Sequence, residues 1–203
     1  MTSAAPVTIE QATEADIPTL GNVVAAAFLH LEPSEWLVPD LTLRARILPQ
    51  YFRLYVEMGV KSGIVYTTRL RDAVAIWLPR GSAPPPDYVE RLTQAVGTTW
   101  VDRFLAFEET LDARHPTEPH HDHLAILAVR PPVQGHGVGT ALLEHRHAEL
   151  DRLHLPSYLE AANKRDRDWY CHRGYYDLAQ PIILPDSGPH MFPMWRDAQP
   201  GGL

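Results

Sequence analysis

The heptapeptide Gln134-Gly135-His136-Gly137-Val138-Gly139-Thr140 is the feature that most restricts how this chain can fold. It follows an apolar segment, Leu124 to Val129, and it precedes a segment with helical periodicity that ends near His154. A strand that leads through a glycine-rich turn into a helix is suited to holding phosphate. Glycine admits a close ligand, and the helix N-terminus offers unpaired N–H groups. The heptapeptide therefore predicts a ligand that carries phosphate.

The spacing of the glycines excludes two common phosphate-binding loops. The dinucleotide fingerprint G-x-G-x-x-G would need a glycine at the position of Thr140. The P-loop needs a lysine within the loop, and the chain has lysine only at Lys61 and Lys164. The spacing that remains is Q-x-x-G-x-G. The simpler alternative is a glycine-rich turn that only begins a helix and binds no ligand.

A second segment follows about 25 residues later and has its own pattern. Leu159-Glu160-Ala161-Ala162-Asn163 resembles the end of a strand, and Trp169-Tyr170-Cys171-His172-Arg173-Gly174-Tyr175 resembles a short helix that ends in a turn. The two segments, in this order, resemble the GNAT acetyltransferase superfamily. Asn163, Tyr170 and Gly174 match that family's pattern, and Tyr175 stands where phenylalanine is usual.

The periodicity of the whole chain agrees with the fold that this resemblance implies. That fold is α/β (α+β): the GNAT acyl-CoA N-acyltransferase fold, a central mixed, mostly antiparallel sheet flanked by helices. We expect one domain over residues 1–203, with a helical insertion at about residues 84–119 before the fourth strand. Residues 32–40 are expected to form a loop, and the helix over 41–60 is expected to kink or break at Pro49. The apolar segment 124–129 predicts a strand buried on both faces.

The resemblance implies roles for particular residues. Tyr170 would be the general acid that protonates the leaving thiolate, and Glu160 or His123 would accept the proton of the amine. Asp122 and His121 are alternative proton acceptors. Backbone N–H groups near the end of the fourth strand would hold the thioester oxygen. The expected acetyl-CoA-binding residues are Leu127, Ala128, Val129, Gln134, Gly135, His136, Gly137, Val138, Gly139, Thr140 and Asn163. Asn163 is equally suited to capping a helix.

Two other chemistries have candidate residues. His115, His120, His121 and His123 are close in sequence, and a hydrolase that uses a metal would need such ligands. No cysteine accompanies them, so we expect no metal. Cys171, the single cysteine, adjoins Tyr170 and could act as a nucleophile, although direct transfer to an amine needs no acyl-enzyme.

Composition limits the partners and the compartment. The formal charge of −7 opposes binding to nucleic acid and to anionic membranes, and it suits a cationic amine. No run of about 18 apolar residues is present, so we expect no membrane helix. Residues 1–6 lack the features of a signal peptide, and one cysteine allows no intramolecular disulfide. We therefore expect a cytoplasmic protein without a nucleic-acid or membrane partner. Composition does not decide whether the protein forms a homodimer.

Short segments such as His115-Pro116-Thr117-Glu118-Pro119 resemble the puromycin N-acetyltransferase-like actinobacterial group. This resemblance implies transfer of acetyl from acetyl-CoA to a primary amine of a small molecule, within a ternary complex. Trp36 and Trp77 are the aromatic side chains expected to line the acceptor pocket. Acetylation of a protein lysine or N-terminus, and a catalytically silent module that binds acyl-CoA, are the alternatives.

Overall fold

A mixed sheet of eight strands forms the centre of the chain, which the computed structural model describes over residues 7–79 and 85–199. The strand order is β1-β2-β3-β4-β5-β8-β6, and β7 pairs with β8 outside that path. The strands are β1 (Ile9–Gln11), β2 (Ile64–Thr68), β3 (Ala73–Pro79), β4 (Asp122–Val129), β5 (Ser157–Ala161), β6 (Tyr176–Asp177), β7 (Ile182–Ile183) and β8 (His190–Arg196). The predicted mixed, mostly antiparallel sheet is confirmed.

Seven α-helices occur within the described ranges. They are α1 (Ile17–Phe28), α2 (Glu32–Leu37), α3 (Leu41–Ser62), α4 (Tyr88–Val96), α5 (Val101–Asp112), α6 (Val138–Arg152) and α7 (Lys164–Cys171). Helices α4 and α5 lie between β3 and β4, where the insertion at about residues 84–119 was expected; residue 84 lies outside the described ranges. No helix that the structure describes is long and apolar enough to cross a membrane.

Two apolar clusters occupy the two faces of the sheet. The first joins α1, α3, α4 and α5 to β3 and β4, with Leu20, Val56 and Ile76 completely buried. The second joins α6 to β3, β5 and β8, and it includes Leu142 and Leu150. Each helix presents an apolar stripe to the sheet, so burial of these side chains holds the layers together.

The sheet has one parallel contact, and that contact is short. Strands β4 and β5 pair only at Asp122 with Ser157 and at His123 with Tyr158. The neighbouring pairs, β3 with β4 and β5 with β8, are antiparallel over the full length of the shorter strand. Beyond His123 the two parallel strands therefore separate and open a cleft in the middle of the sheet.

Three local predictions were wrong or incomplete. Residues 32–40 are not all loop, because Glu32–Leu37 form a helix in which Pro33 occupies the first turn, a position that requires no N–H donor. Helix α3 continues through Pro49 to Ser62 without a break. Strand β4 alternates between buried and half-buried side chains, rather than being buried on both faces, because part of it borders the cleft.

Candidate active site

The cleft between β4 and β5 continues into one cavity of about 1840 Å³. Its wall includes residues of β4, β5, α3, α5, α7 and the glycine-rich heptapeptide before α6. The two segments identified in the sequence therefore border the same space.

The glycine-rich loop owes its shape to two residues with left-handed backbone. Gly135 and Gly137 have φ of +79° and +82°, values that other residues adopt at a cost. A Cβ atom added at either glycine would meet no atom within 4 Å, so conformation and not crowding requires glycine there. Gln134 donates from Nε2 to the Val129 carbonyl oxygen at 2.9 Å and ties the loop to the end of β4.

The N-terminus of α6 faces this loop. Gly137 is its N-cap, and the first intrahelical bond runs from the Ala141 N–H to the Gly137 oxygen at 2.9 Å. The N–H groups of Val138, Gly139 and Thr140 are thus left without an intrahelical acceptor at the positive end of the helix dipole. An open loop and unpaired N–H donors fit the pyrophosphate of coenzyme A. His136 is exposed, bonds to the Gln134 oxygen at 2.9 Å, and does not border the described cavity.

Arg173 adds a positive charge at the loop that no sequence motif predicted. Its guanidinium donates to Thr140 Oγ1 at 2.8 Å and lies 3.5 Å from the centre of the Trp169 ring. It also borders the cavity. Because 33 residues separate it from Thr140, no local pattern could have placed it there.

Strand β4 presents an unpaired edge to the cleft. Leu127, Ala128 and Val129 pair with β3 on one side, and β5 has already separated from them on the other. The register with β3 shifts between Ile76 and Trp77, which leaves Ala125 as an extra residue on β4. Such a bulge increases local twist and re-aims the backbone. Backbone polar groups at this edge are available to a ligand.

Tyr170 lies on α7 and borders the same cavity. Burial, with the nearby Tyr175 and Asp166, raises the pKa of the Tyr170 phenol well above its usual range. The hydroxyl has no hydrogen-bond partner among the described residues and is not fully enclosed. Tyr170 is therefore a protonated phenol whose single proton is available to a ligand in the cavity.

Asn163 is fully engaged at the N-terminus of α7. Its Oδ1 accepts from the Asp166 N–H at 2.9 Å, and its Nδ2 donates to Asp166 Oδ2 at 2.8 Å. The helix-capping role that the residue type suggested is present. Asn163 also borders the cavity, so both uses of this residue are compatible with its position.

His123 and Glu160 form a buried pair opposite the loop. His123 Nε2 lies 2.9 Å from Glu160 Oε2, and the Glu160 side chain is 7% exposed. Burial alone would raise the pKa of Glu160, but the charge and hydrogen bond of His123 hold it below its usual range. Glu160 is therefore a carboxylate at neutral pH. In the neutral imidazole, the hydrogen bond to Glu160 favours the proton on Nε2 of His123 and the lone pair on Nδ1.

The other two candidate proton acceptors are occupied elsewhere. Asp122 accepts two hydrogen bonds from the Arg146 guanidinium, at 2.9 and 2.6 Å. His121 is completely buried, bonds to the Pro119 oxygen at 2.7 Å, and does not border the described cavity. Two of the four candidates, His123 and Glu160, therefore reach the cleft.

The residues that could bind a metal differ from the histidines that the sequence suggested. His115, His123 and Glu160 offer ligand atoms within 4.8 Å of one another, whereas His120 and His121 do not join them. The His123–Glu160 hydrogen bond uses one atom of each residue.

The two tryptophans expected in the acceptor pocket lie outside the described cavity wall. Trp77 is 1% exposed and packs in the cluster under α6, because its position on β3 faces that helix. Trp36 belongs to α2, where the Arg103 guanidinium lies 4.3 Å from its ring centre. Cys171 is exposed on α7 and is likewise absent from the wall.

Comparison with known proteins agrees with the fold. Residues 77–175, which include β4, the loop, α6, β5 and α7, match the family model described as the Acetyltransferase (GNAT) family. A solved structure described as histone acetyltransferase HPA2 and related acetyltransferase, from Corynebacterium glutamicum, is 25% identical to this chain. The match covers 98% of this chain and 100% of that one, with a TM-score of 0.70.

Two more distant structures share the fold. Arylalkylamine N-acetyltransferase 2 from Aedes aegypti is 12% identical, with coverage of 96% and 100% and a TM-score of 0.63. The ribosomal-protein-S18-alanine N-acetyltransferase from Escherichia coli is 16% identical, with coverage of 97% and 97% and a TM-score of 0.57. One is named for a small amine and the other for a protein.

The fold and the cleft therefore define the class, and the predicted GNAT fold is confirmed. Residues 77–175 are similar to the acetyltransferases of the GNAT family, and the chain as a whole has their fold.

Proposed function

We propose that the protein transfers the acetyl group of acetyl-CoA directly to a primary amine of a small molecule. The observation that carries the proposal is the position of three groups around one cavity. These are the glycine-rich loop at α6, the Tyr170 hydroxyl, and the His123–Glu160 pair. Donor site, proton donor and proton acceptor are thus within reach of a single bound pair of substrates.

The coenzyme would be held by backbone more than by side chains. The N–H groups of residues 138–140 bind the pyrophosphate, and Arg173 supplies a positive charge beside Thr140. The pantetheine arm runs along the free edge of β4, and N–H donors there hold the thioester oxygen. The same donors stabilise the negative charge that develops on that oxygen during attack.

The reaction then needs two proton transfers. His123 Nδ1 accepts a proton from the ammonium, and the neutral amine attacks the thioester carbonyl carbon to form the C–N bond. The C–S bond breaks as the tetrahedral intermediate collapses, Tyr170 protonates the departing thiolate, and the acylated nitrogen releases its surplus proton to water. His123 then gives its proton to solvent and Tyr170 regains one from solvent, so each turnover releases one proton.

A small acceptor is supported by the aromatic side chains in the cavity wall. Helices α3, α4 and α5 place Tyr51, Tyr55, Tyr88 and Phe107 there. Aromatic walls with few polar groups are typical of small-molecule sites. The resemblance to puromycin N-acetyltransferase-like proteins points to the same class of acceptor.

A thiol-release assay with acetyl-CoA tests the class of acceptor. A panel of small primary amines, including aminonucleosides and arylalkylamines, would be compared with lysine-containing and alanine-terminated peptides at equal concentrations. Turnover with small amines and a mass increase of one acetyl group on the amine supports the proposal. Turnover confined to the peptides would replace it with protein acetylation.

A further inference from the structure

A buried carboxylate surrounded by three tyrosines lies in the cavity wall and has no part in acetyl transfer. Glu108 of α5 accepts hydrogen bonds at Oε1 from Tyr51, Tyr55 and Tyr88, with O···O distances of 3.0, 3.2 and 2.6 Å. All four residues border the cavity. We call this group the Glu108 cage.

The phenols of the cage act as hydrogen-bond donors to Glu108. Each phenol has one proton to donate, and burial raises the pKa of all three tyrosines, so they stay protonated. Hydrogen bonds from the three phenols favour the charged form of Glu108, but burial outweighs them, so the pKa of Glu108 stays above its usual range. A cation bound beside Glu108 would add the favourable charge that the cage itself lacks.

The second oxygen of Glu108 has no donor within the cage. No described residue donates to Oε2, and this atom is not among those fully enclosed without a partner. A carboxylate oxygen that no protein group neutralises, next to aromatic rings, forms a site for a cation.

The cage is close to the groups that act on the amine. Burial and the charges of Glu108 and Glu160 raise the pKa of Tyr55, so this tyrosine is under the influence of both carboxylates. An acceptor whose primary amine lies at His123 could therefore extend a second group toward Glu108 within the same cavity.

We propose that the Glu108 cage binds a second cationic nitrogen of the acceptor, so that the preferred substrate is a diamine or a longer polyamine. This inference rests on the proposed function, because it assigns the substrate class of that site. One nitrogen loses its proton at His123 and is acetylated, and the other stays protonated against Glu108. The net negative charge of the chain, −7, favours approach of such a dication.

The test uses three matched acceptors of equal chain length: a straight-chain diamine, the monoamine and the amino alcohol, over four to eight carbons. We expect the full-length protein to have a KM for the diamine about 10-fold to 30-fold below that for the monoamine at its best length. Glu108→Gln should remove this difference by raising KM for the diamine toward that for the monoamine. Asp102→Asn, which removes an exposed carboxylate from the same helix, should preserve the difference.

Binding of the same three compounds, measured by calorimetry with CoA bound, separates this inference from the proposed function. Tighter binding of the diamine that depends on Glu108, without turnover, would contradict acetyl transfer and leave the cage assignment standing. Turnover of monoamines and diamines with equal KM would overturn the cage assignment alone, as would an amino alcohol that matches the diamine. If thermal unfolding shows that Glu108→Gln does not fold, Tyr88→Phe takes its place and should shrink the diamine preference about threefold.

Discussion

At the scale of single residues, acetyl transfer depends on one phenol that gives a proton and one imidazole that takes one. Tyr170 has an unshared hydroxyl in the cavity, and His123 is oriented by the carboxylate of Glu160. The two groups lie on different elements, α7 and β4, so neither role depends on the other for its geometry. Each can therefore be removed separately.

Tyr170→Phe removes the proton donor and keeps the ring that packs against Trp169 and Tyr175. We expect kcat to fall about 100-fold to 10,000-fold, because the thiolate must then leave without a positioned acid. The dissociation constant for CoA, measured by calorimetry, should change little. Tyr176→Phe, at an exposed tyrosine, serves as the control. A Tyr170→Phe enzyme with normal kcat would exclude this residue as the acid.

His123→Ala and Glu160→Gln should each lower kcat/KM, and the double variant should be no slower than His123→Ala. The reason is that Glu160 acts through His123, so its loss has no further effect once the imidazole is gone. The measurement is the steady-state rate of the wild type, the two single variants and the double variant, which together form a double-mutant cycle. Losses that multiply in the double variant would show that the two residues act independently.

At the scale of elements, the loop before α6 is the part on which coenzyme binding depends. Gly137→Ala forces a side chain into left-handed backbone at the helix N-cap and displaces the N–H groups that face the phosphate. We expect a loss of about 1 kcal/mol in unfolding free energy and weaker CoA binding by calorimetry. Gly97→Ala has a similar φ, +85°, at the end of α4, outside the described cavity wall. It should cost as much stability or more and leave CoA binding unchanged; equal weakening in both variants would contradict the role of the loop.

The sequence predicted the elements whose signals lie within a few neighbouring residues. The loop, α6 and the short helix that carries Tyr170 followed from residues a few positions apart. Helix α2 was missed because a proline was interpreted as a helix breaker, although its position in the first turn permits a helix. The Glu108 cage was out of reach, because Tyr51 lies 57 positions from Glu108 and meets it only through packing of α3 on α5.

At the scale of the whole molecule, one buried histidine couples stability to pH. His147 lies in α6 between the helix and the sheet, with Nε2 3.1 Å from the Tyr175 hydroxyl. Burial and the charge of Arg196 lower its pKa from 6.5 to about 3. The unfolded chain takes up a proton near pH 6.5 and the folded one does not. This group therefore costs no stability above pH 6.5 and destabilises progressively as the pH falls from 6.5 toward 3.

His147→Leu should remove that part of the pH dependence. Between pH 7.5 and pH 5 we expect the wild type to lose about 2 kcal/mol of unfolding free energy more than the variant does, as measured by urea titration. Tyr175 keeps its hydrogen bond to Ser157 in the variant. His145→Leu, at an exposed position of the same helix, should retain the wild-type slope. Identical slopes in wild type and His147→Leu would show that His147 takes up its proton in the folded state.

The central claim is that the amine attacks bound acetyl-CoA directly within this cleft, and initial-rate kinetics test it most directly. The rate of CoA release would be measured across a grid of acetyl-CoA and amine concentrations, with an amine that the thiol-release panel identifies. Direct transfer predicts double-reciprocal lines that intersect, and CoA release only when the amine is present. Parallel lines, with one equivalent of CoA released before any amine is added, would show an acyl-enzyme and contradict the account.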